Sequence, residues 1–222
     1  MGEAIGSMLT SAVGIAISPL PLVAVILVLA TPRGRTNGAA FTAGWVLTLS
    51  AVVAAAVAAG SGLSADGAKP TWAHWLKLAL GVLFVVLAAR QWHDRPRAGR
   101  VAAPPTWMRA VDRFTPAESA GLAARLVGAN PKNLVLAVGG AVSIATSGAS
   151  GAGKAVAGAL MVAIGSLCTL VPLGVHLFGG GRETRMLEEW KAWTATHNSA
   201  VTSTVLAVLG TEYIGDAVSA LA

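Results

Sequence analysis

Six apolar stretches almost free of charge decide what this chain can fold into. Residues 4–30 and 39–64 contain no Asp, Glu, Lys or Arg. Residues 74–89 contain Lys77 alone, residues 127–153 Lys132 alone, residues 155–181 none, and residues 199–222 only Glu212 and Asp216. A hydrocarbon core about 30 Å thick is crossed by about 20 apolar helical residues. Backbone groups in lipid must be satisfied within the segment or a closed barrel, and these Ala-, Val- and Leu-rich runs lack the period-two alternation of a barrel. The expected fold is therefore all-α, with about six transmembrane helices in one domain spanning residues 1–222. Charged residues make up 12% of the chain and the mean hydropathy is +0.67. A soluble domain carries about a quarter charged residues, so a soluble enzyme is not expected.

The first stretch has no basic leader and is too long for the core of a cleaved signal peptide, so it reads as a retained span. Gly6 stands where a myristoylation signal needs Ser or Thr. The single cysteine, Cys168, excludes an intrachain disulfide and a cysteine metal cluster. His74, His93, His176 and His197 do not converge on a metal-ligand spacing. No metal and no cofactor are expected. GxSxG, HExxH and Walker-type patterns are absent, which removes the commonest catalytic signatures.

The basic residues are distributed unevenly. Connections after the first, third and fifth spans hold Arg33, Arg35, Arg90, Arg95, Arg97, Arg100, Arg109, Arg113, Arg182, Arg185 and Lys191, with Arg125 close by. The opposite side holds Lys69, Lys77 and Lys154. This asymmetry puts both termini outside the cytoplasm of a multi-pass plasma-membrane protein. The net charge of +6 is then mostly a topology signal, and no nucleic-acid partner is expected. Met186, Leu187, Trp190 and Trp193 share one helical stripe, as do Trp107, Met108, Val111 and Phe114. Both read as amphipathic segments in the headgroup layer, the first over residues 182–198. Residues 96–105, rich in Pro and Arg, read as a flexible linker.

The most informative local pattern occurs twice. Ser18-Pro19-Leu20-Pro21 interrupts the first span and Asn130-Pro131-Lys132-Asn133 the fourth. In each, an N-cap residue precedes a proline placed where a helix tolerates it, so the old helix ends and a new one starts. Each break falls about a dozen residues into its segment, roughly 20 Å along at 1.5 Å per residue, which is inside the bilayer. Thr115-Pro116-Ala117-Glu118 has capping-box spacing and starts a half-helix or re-entrant stretch over 117–129. Gly38 and Gly44 punctuate the second span, and Gly158 and Gly165 the fifth. Leu80-Gly81 aligns faintly on Leu209-Gly210, and Phe84 on Tyr213. The chain thus reads as two three-helix repeats, 1–92 and 117–222, of opposite orientation and joined by a cytoplasmic linker at 93–116. Inverted repeats with paired broken helices are the architecture of many secondary transporters.

An ionisable residue at the centre of a span costs on the order of 2.5–3.5 kcal/mol by insertion scales and needs a partner, water or a function. Lys132 lies in the first turn of a half-helix whose free N–H groups already favour an anion. A phosphate, sulfate or carboxylate is its natural ligand, and an ion pair with Glu212 is the structural alternative. Glu212 and Asp216 lie four apart on one face, where mutual repulsion suits proton coupling or ion pairing. Asn37, Arg33 and Arg35 are candidates for headgroup contact.

Ile17-Ser18-Pro19-Leu20-Pro21, Val25-Ile26-Leu27, Thr31-Pro32-Arg33-Gly34-Arg35, Asn37-Gly38-Ala39-Ala40-Phe41 and Gly44-Trp45 resemble the start of GAP-family proteins, the sulfolipid- or peptidoglycolipid-addressing proteins of actinobacteria. Ala129-Asn130-Pro131-Lys132-Asn133-Leu134 resembles their second signature. That family is grouped with the lysine-exporter (LysE) superfamily, whose amino-acid exporters carry Pro-Gly-Pro and Asn-Pro-Lys elements. Here Leu20 replaces the glycine, which fits the lipid-addressing branch better. The resemblance implies export or translocation of an anionic amphipathic envelope lipid or its precursor. Lys132, Asn130, Pro131 and Asn133 would hold the headgroup, Ser18, Pro19 and Pro21 would form the facing break, and Glu212 would couple protons. Export of a small amino acid or metabolite, and a non-transporting scaffold for lipid-export machinery, are the rival expectations. Partners would be membrane lipids and the substrate, with homo-oligomerisation or docking to export machinery as further options.

Overall fold

Proline placement sets the element boundaries at both expected breaks. The computed structural model describes residues 2–62, 71–93, 111–181 and 183–221. Among the described residues every regular element is helical: α1 (Gly2–Ala16), α2 (Pro19–Leu29), α3 (Gly34–Gly62), α4 (Thr71–His93), a short 3₁₀ turn (Val111–Arg113), α5 (Pro116–Gly128), α6 (Pro131–Ala145), α7 (Gly151–Gly165), α8 (Leu167–Phe178) and α9 (Glu183–Leu221). Ser18 and Asn130 are extended, and each is followed by proline at the first helical position. Proline disfavours the helical conformation of the residue before it and lacks the N–H that would continue the preceding helix. The bend between α1 and α2 is 48°.

Helix α3 is long and apolar enough to cross a membrane alone. The bent pairs α1–α2 and α7–α8 pass the same test as units, whereas Leu78–His93 and Pro131–Ala145 are shorter apolar helices. Large apolar side chains face outward, among them Leu47 at 69% exposure and Phe178 at 87%. Apolar outward faces on this scale match a lipid environment better than water.

Three expectations need correction. Residues 155–181 do not form one unbroken span, because α7 and α8 meet at Ser166 with a bend of 55°. Pro172 inside α8 removes the hydrogen bond to the carbonyl four residues back and crowds it, loosening the backbone around Cys168. Gly165 and Ser166, a Gly/Ser pair of the kind found at kinks, take up the turn. Second, the amphipathic segment 182–198 and the last span are not separate: α9 runs unbroken for 39 residues. Third, the expected stripe on that segment is divided. Leu187 is buried and Trp190 partly so, while Met186 and Trp193 are exposed and Thr194 takes a buried place. The linker at 96–105, Trp107, Met108, Arg109 and Arg182 lie outside the described residues.

The core joins Met8 and Ile15 of α1, Phe41, Trp45 and Leu49 of α3, Leu136 and Ile144 of α6 and Met161 of α7. Glycines permit the close approaches. A Cβ on Gly44 would lie 2.6 Å from the Ala120 carbonyl oxygen, so α5 lies directly on α3. Gly140 faces Met161 and Ser11, and Gly139 faces the Tyr213 ring.

Helices α4 and α9 pair antiparallel. Gln91 Nε2 donates to Ser199 Oγ at 3.4 Å, and Phe84 meets Tyr213 edge-on with ring centroids 5.8 Å apart. A Cβ on Gly81 would lie 2.9 Å from the Gly210 carbonyl oxygen, and one on Gly210 would lie 2.9 Å from that of Gly81. Each obstacle is backbone and cannot rotate away. Gly210→Val should therefore destabilise the pair by about 1–3 kcal/mol, read as a lower thermal unfolding midpoint in detergent. Gly215→Ala, with nothing within 4 Å of the new Cβ, should leave that midpoint unchanged or slightly raised.

Candidate functional site where the helix breaks meet

Serine before a helix normally turns its hydroxyl onto the first N–H groups. Ser18 precedes α2 but makes no such cap. Its Oγ instead donates to Asn133 Oδ1 at 2.7 Å, across 115 residues of sequence. Both side chains are almost fully buried, at 2% and 1% exposure. Asn133 Nδ2 donates to the Leu126 carbonyl at 3.0 Å, near the end of α5. The Asn133 amide thus spans the second break and accepts from the first. Asn130 caps its own helix, its Oδ1 accepting from the Lys132 N–H at 3.1 Å. Pro19 and Pro21 are buried beside this contact, and Pro131 is exposed.

Lys132 follows directly. Its Nζ is buried and has no hydrogen-bond partner among the described residues. The ion pair with Glu212 is therefore not formed. Glu212 Oε1 accepts from Thr10 Oγ1 at 3.2 Å, and the neighbouring Tyr213 hydroxyl pairs with Ser11 Oγ at 3.2 Å. Both contacts tie α9 to α1. Asp216 is exposed. Glu212 thus belongs to the α1–α9 contact.

A third break contributes residues that the sequence reading did not single out. Ser166 stands before α8 without capping it, is fully buried, and its Oγ has no partner among the described residues. Two residues on, Cys168 is close enough to Lys132 for the two groups to interact electrostatically, while its Sγ donates to the Gly165 carbonyl at 3.4 Å. Thr169 is buried, with its hydroxyl on the Ser166 carbonyl at 3.0 Å. The start of α6 is therefore joined to the start of α2 through Asn133, and the start of α8 comes within electrostatic range of Lys132. Helix N-termini carry partial positive charge and unpaired N–H groups. Adding a lysine makes a centre suited to oxygen-rich anions. The available signal was the Gly165-Ser166 pair with Pro172 downstream.

Arg33, in the turn between α2 and α3, and Arg35, in the first turn of α3, are both exposed. Asn37, expected beside them, is 1% exposed, and its Nδ2 donates to the Phe114 carbonyl at 2.8 Å. It fastens that turn to the segment entering α5 rather than meeting lipid. The capping box that opens α5 is complete: Thr115 N donates to Glu118 Oε2 at 2.8 Å, and Glu118 N donates to Thr115 Oγ1 at 3.3 Å. Among the described residues no group of three or more His, Cys, Asp or Glu side chains has a metal-binding arrangement.

Apolar helices, two bent helix pairs of spanning length and a buried, basic meeting point of helix ends define a protein of the membrane class. Residues 8–219 match the family described as Sap, sulfolipid-1-addressing protein, and the chain belongs to that family. No curated protein and no solved structure matches it.

The Ser18–Asn133 contact can be weighed by a double-mutant cycle. Ser18→Ala leaves the buried Asn133 oxygen without its donor and should cost about 1–3 kcal/mol. Asn133→Leu, which also frees the Leu126 carbonyl, should cost more. The double variant should lose less than the sum of the two, with a coupling of about 0.5–3 kcal/mol in unfolding free energy.

Proposed function

We propose that this protein translocates an anionic amphipathic envelope lipid, a glycolipid or its precursor, without chemically transforming it. The observation that carries the reading is Lys132. Its buried ammonium lies where two helix breaks are joined by the Ser18–Asn133 hydrogen bond, and a buried unpaired cation is costly until an anion approaches. The family description, a sulfolipid-addressing protein, names a lipid of this chemistry for a relative. A sulfate or phosphate headgroup would take Lys132 Nζ together with the uncapped starts of α2 and α8.

The architecture we favour is six spans arranged as two inverted three-helix repeats, as in transporters with paired discontinuous helices. Its support is that Gly81 and Phe84, the residues aligned on Gly210 and Tyr213, touch those same partners. Equivalent residues meet each other on a two-fold axis. The Asn37–Phe114 bond draws the segment carrying Arg33 and Arg35 towards Arg113, which agrees with one basic, cytoplasmic end and with termini on the other side. Glu212, bonded to Thr10, is the carboxylate we assign to proton coupling.

In proteoliposomes the protein should move a fluorescent phosphatidic acid between leaflets. Lys132→Gln should slow that movement by about 10–100-fold, the equivalent of a lost charge-assisted hydrogen bond worth about 1.5–3 kcal/mol. A folded Lys132→Gln protein that transports at the full rate would sink the proposal. Purified protein that moves no lipid would point to a scaffold, and efflux of a labelled amino acid without lipid movement to a metabolite exporter.

A further inference from the structure

A concavity lies between α3 and α7. It is a groove of about 830 Å³. The two helices run antiparallel along it, with Gly165 beside Leu49 and Gly158 beside Val53, while Ala145, the last residue of α6, lies beside Gly60. From Gly151 to Ser166 it extends roughly 22 Å at 1.5 Å per residue, longer than the ~15 Å of hydrocarbon in one leaflet. Its walls are almost wholly small and aliphatic, with Val53, Val57, Gly158 and Val162 along the middle, and no acidic residue occurs among the described lining. Lys154 lies at one end, its Nζ donating to the Ala145 carbonyl. Ser166 lies at the other.

Ser166 is the informative end. Its side chain is fully buried and its hydroxyl unpartnered among the described residues, and it precedes α8 without capping it. A buried hydroxyl with no partner is costly to keep dry. The same backbone leads two residues on to Cys168, which is within electrostatic range of Lys132. The apolar groove therefore ends at a buried hydroxyl whose own segment comes within range of the Lys132 charge. A ligand that satisfies both parts has one negative oxygen-rich end and one long hydrocarbon end.

We propose that the α3–α7 groove holds an acyl chain of an anionic lipid whose headgroup lies at Lys132 and Ser166. This rests on the translocation reading above and extends it by giving the hydrocarbon portion a path along the outside of α3 and α7. The chain then stays in an apolar environment while the headgroup occupies the polar centre, which avoids exposing it to the buried hydroxyls and amides of the breaks. Small side chains along the groove leave the width that an acyl chain needs.

The test uses the full chain in phosphatidylcholine nanodiscs, with phosphatidic acid and phosphatidylcholine carrying the same mid-chain diazirine. Photolabelling mapped by mass spectrometry should place the anionic probe on Val53, Val57 and Val162 in about fivefold excess over the zwitterionic one. Val82, Leu83 and Val86, exposed on α4, should take both probes equally. Ser166→Ala, which removes only an unpartnered hydroxyl, and Lys132→Gln should each reduce the groove preference. Ala54→Trp should block groove labelling while leaving the α4 labelling intact. Equal groove labelling by the two probes overturns the proposal, and if Lys132→Gln still slows lipid movement, translocation survives without it. If neither labelling nor movement responds to Lys132→Gln, both readings fall.

Discussion

The hydrogen bond between Ser18 and Asn133 is the constraint on which the interior depends. Two helices are interrupted inside an apolar body, and each interruption exposes backbone groups that hydrocarbon cannot satisfy. Joining the interruptions lets one amide answer several needs at once. Asn133 accepts from Ser18 and donates to the Leu126 carbonyl, while Asn130 serves the Lys132 N–H. Without this junction, α2 and α6 would have no polar reason to begin at the same depth. The glycines at 139, 140 and 165 then allow α1, α6, α7 and α9 to close around it.

Polar satisfaction is uneven across the interior. Ser18, Asn130, Asn133 and Thr169 all have partners, whereas Lys132 Nζ and Ser166 Oγ have none among the described residues. Fully paired buried networks rigidify a fold, and partly paired ones mark places where something else is accommodated. Lys132 is the one charged group among the unpaired atoms; Thr42, Trp45, Ser119 and Thr194 on α3, α5 and α9 also keep an unpaired polar atom among the described residues. Lys132 Nζ and Ser166 Oγ are hydrogen-bond donors, and groups of that kind are satisfied by acceptor oxygens.

Much of this was legible in the sequence because proline and capping residues act locally. Pro19, Pro131 and the Thr115–Glu118 box fix helix starts through their immediate neighbours, and the helices begin where those residues require. The faint alignment of Gly81 on Gly210 and Phe84 on Tyr213 also had physical content, because those pairs are in contact. What escaped were consequences of three-dimensional proximity. Nothing in the spacing shows that Ser18 gives up its capping role for a residue 115 positions away, or that Asn37 is buried against Phe114. The bend at Ser166 escaped for another reason. Gly165 and Ser166 read as small packing residues of a continuous span, and a Gly/Ser pair becomes a kink only where the surrounding helices require the turn. The unbroken course of α9 was hidden because a change in composition near residue 198 looks like a boundary, although no Pro or Gly interrupts the helix there.

That unbroken course has a mechanical consequence. At 1.5 Å per residue, α9 is roughly 58 Å long, nearly twice the thickness of a hydrocarbon core. Its closest backbone approach to α4 is at Gly210, and the stretch from there back to Glu183 is about 40 Å. A rigid rod pivoting at that crossing moves its far tip by about 0.7 Å for each degree of tilt. Leu187 and Thr194, buried near that tip, set where the far end of so long a rod comes to rest, so the contacts at Glu212 and Tyr213 and those beyond Trp190 are joined by one stiff element.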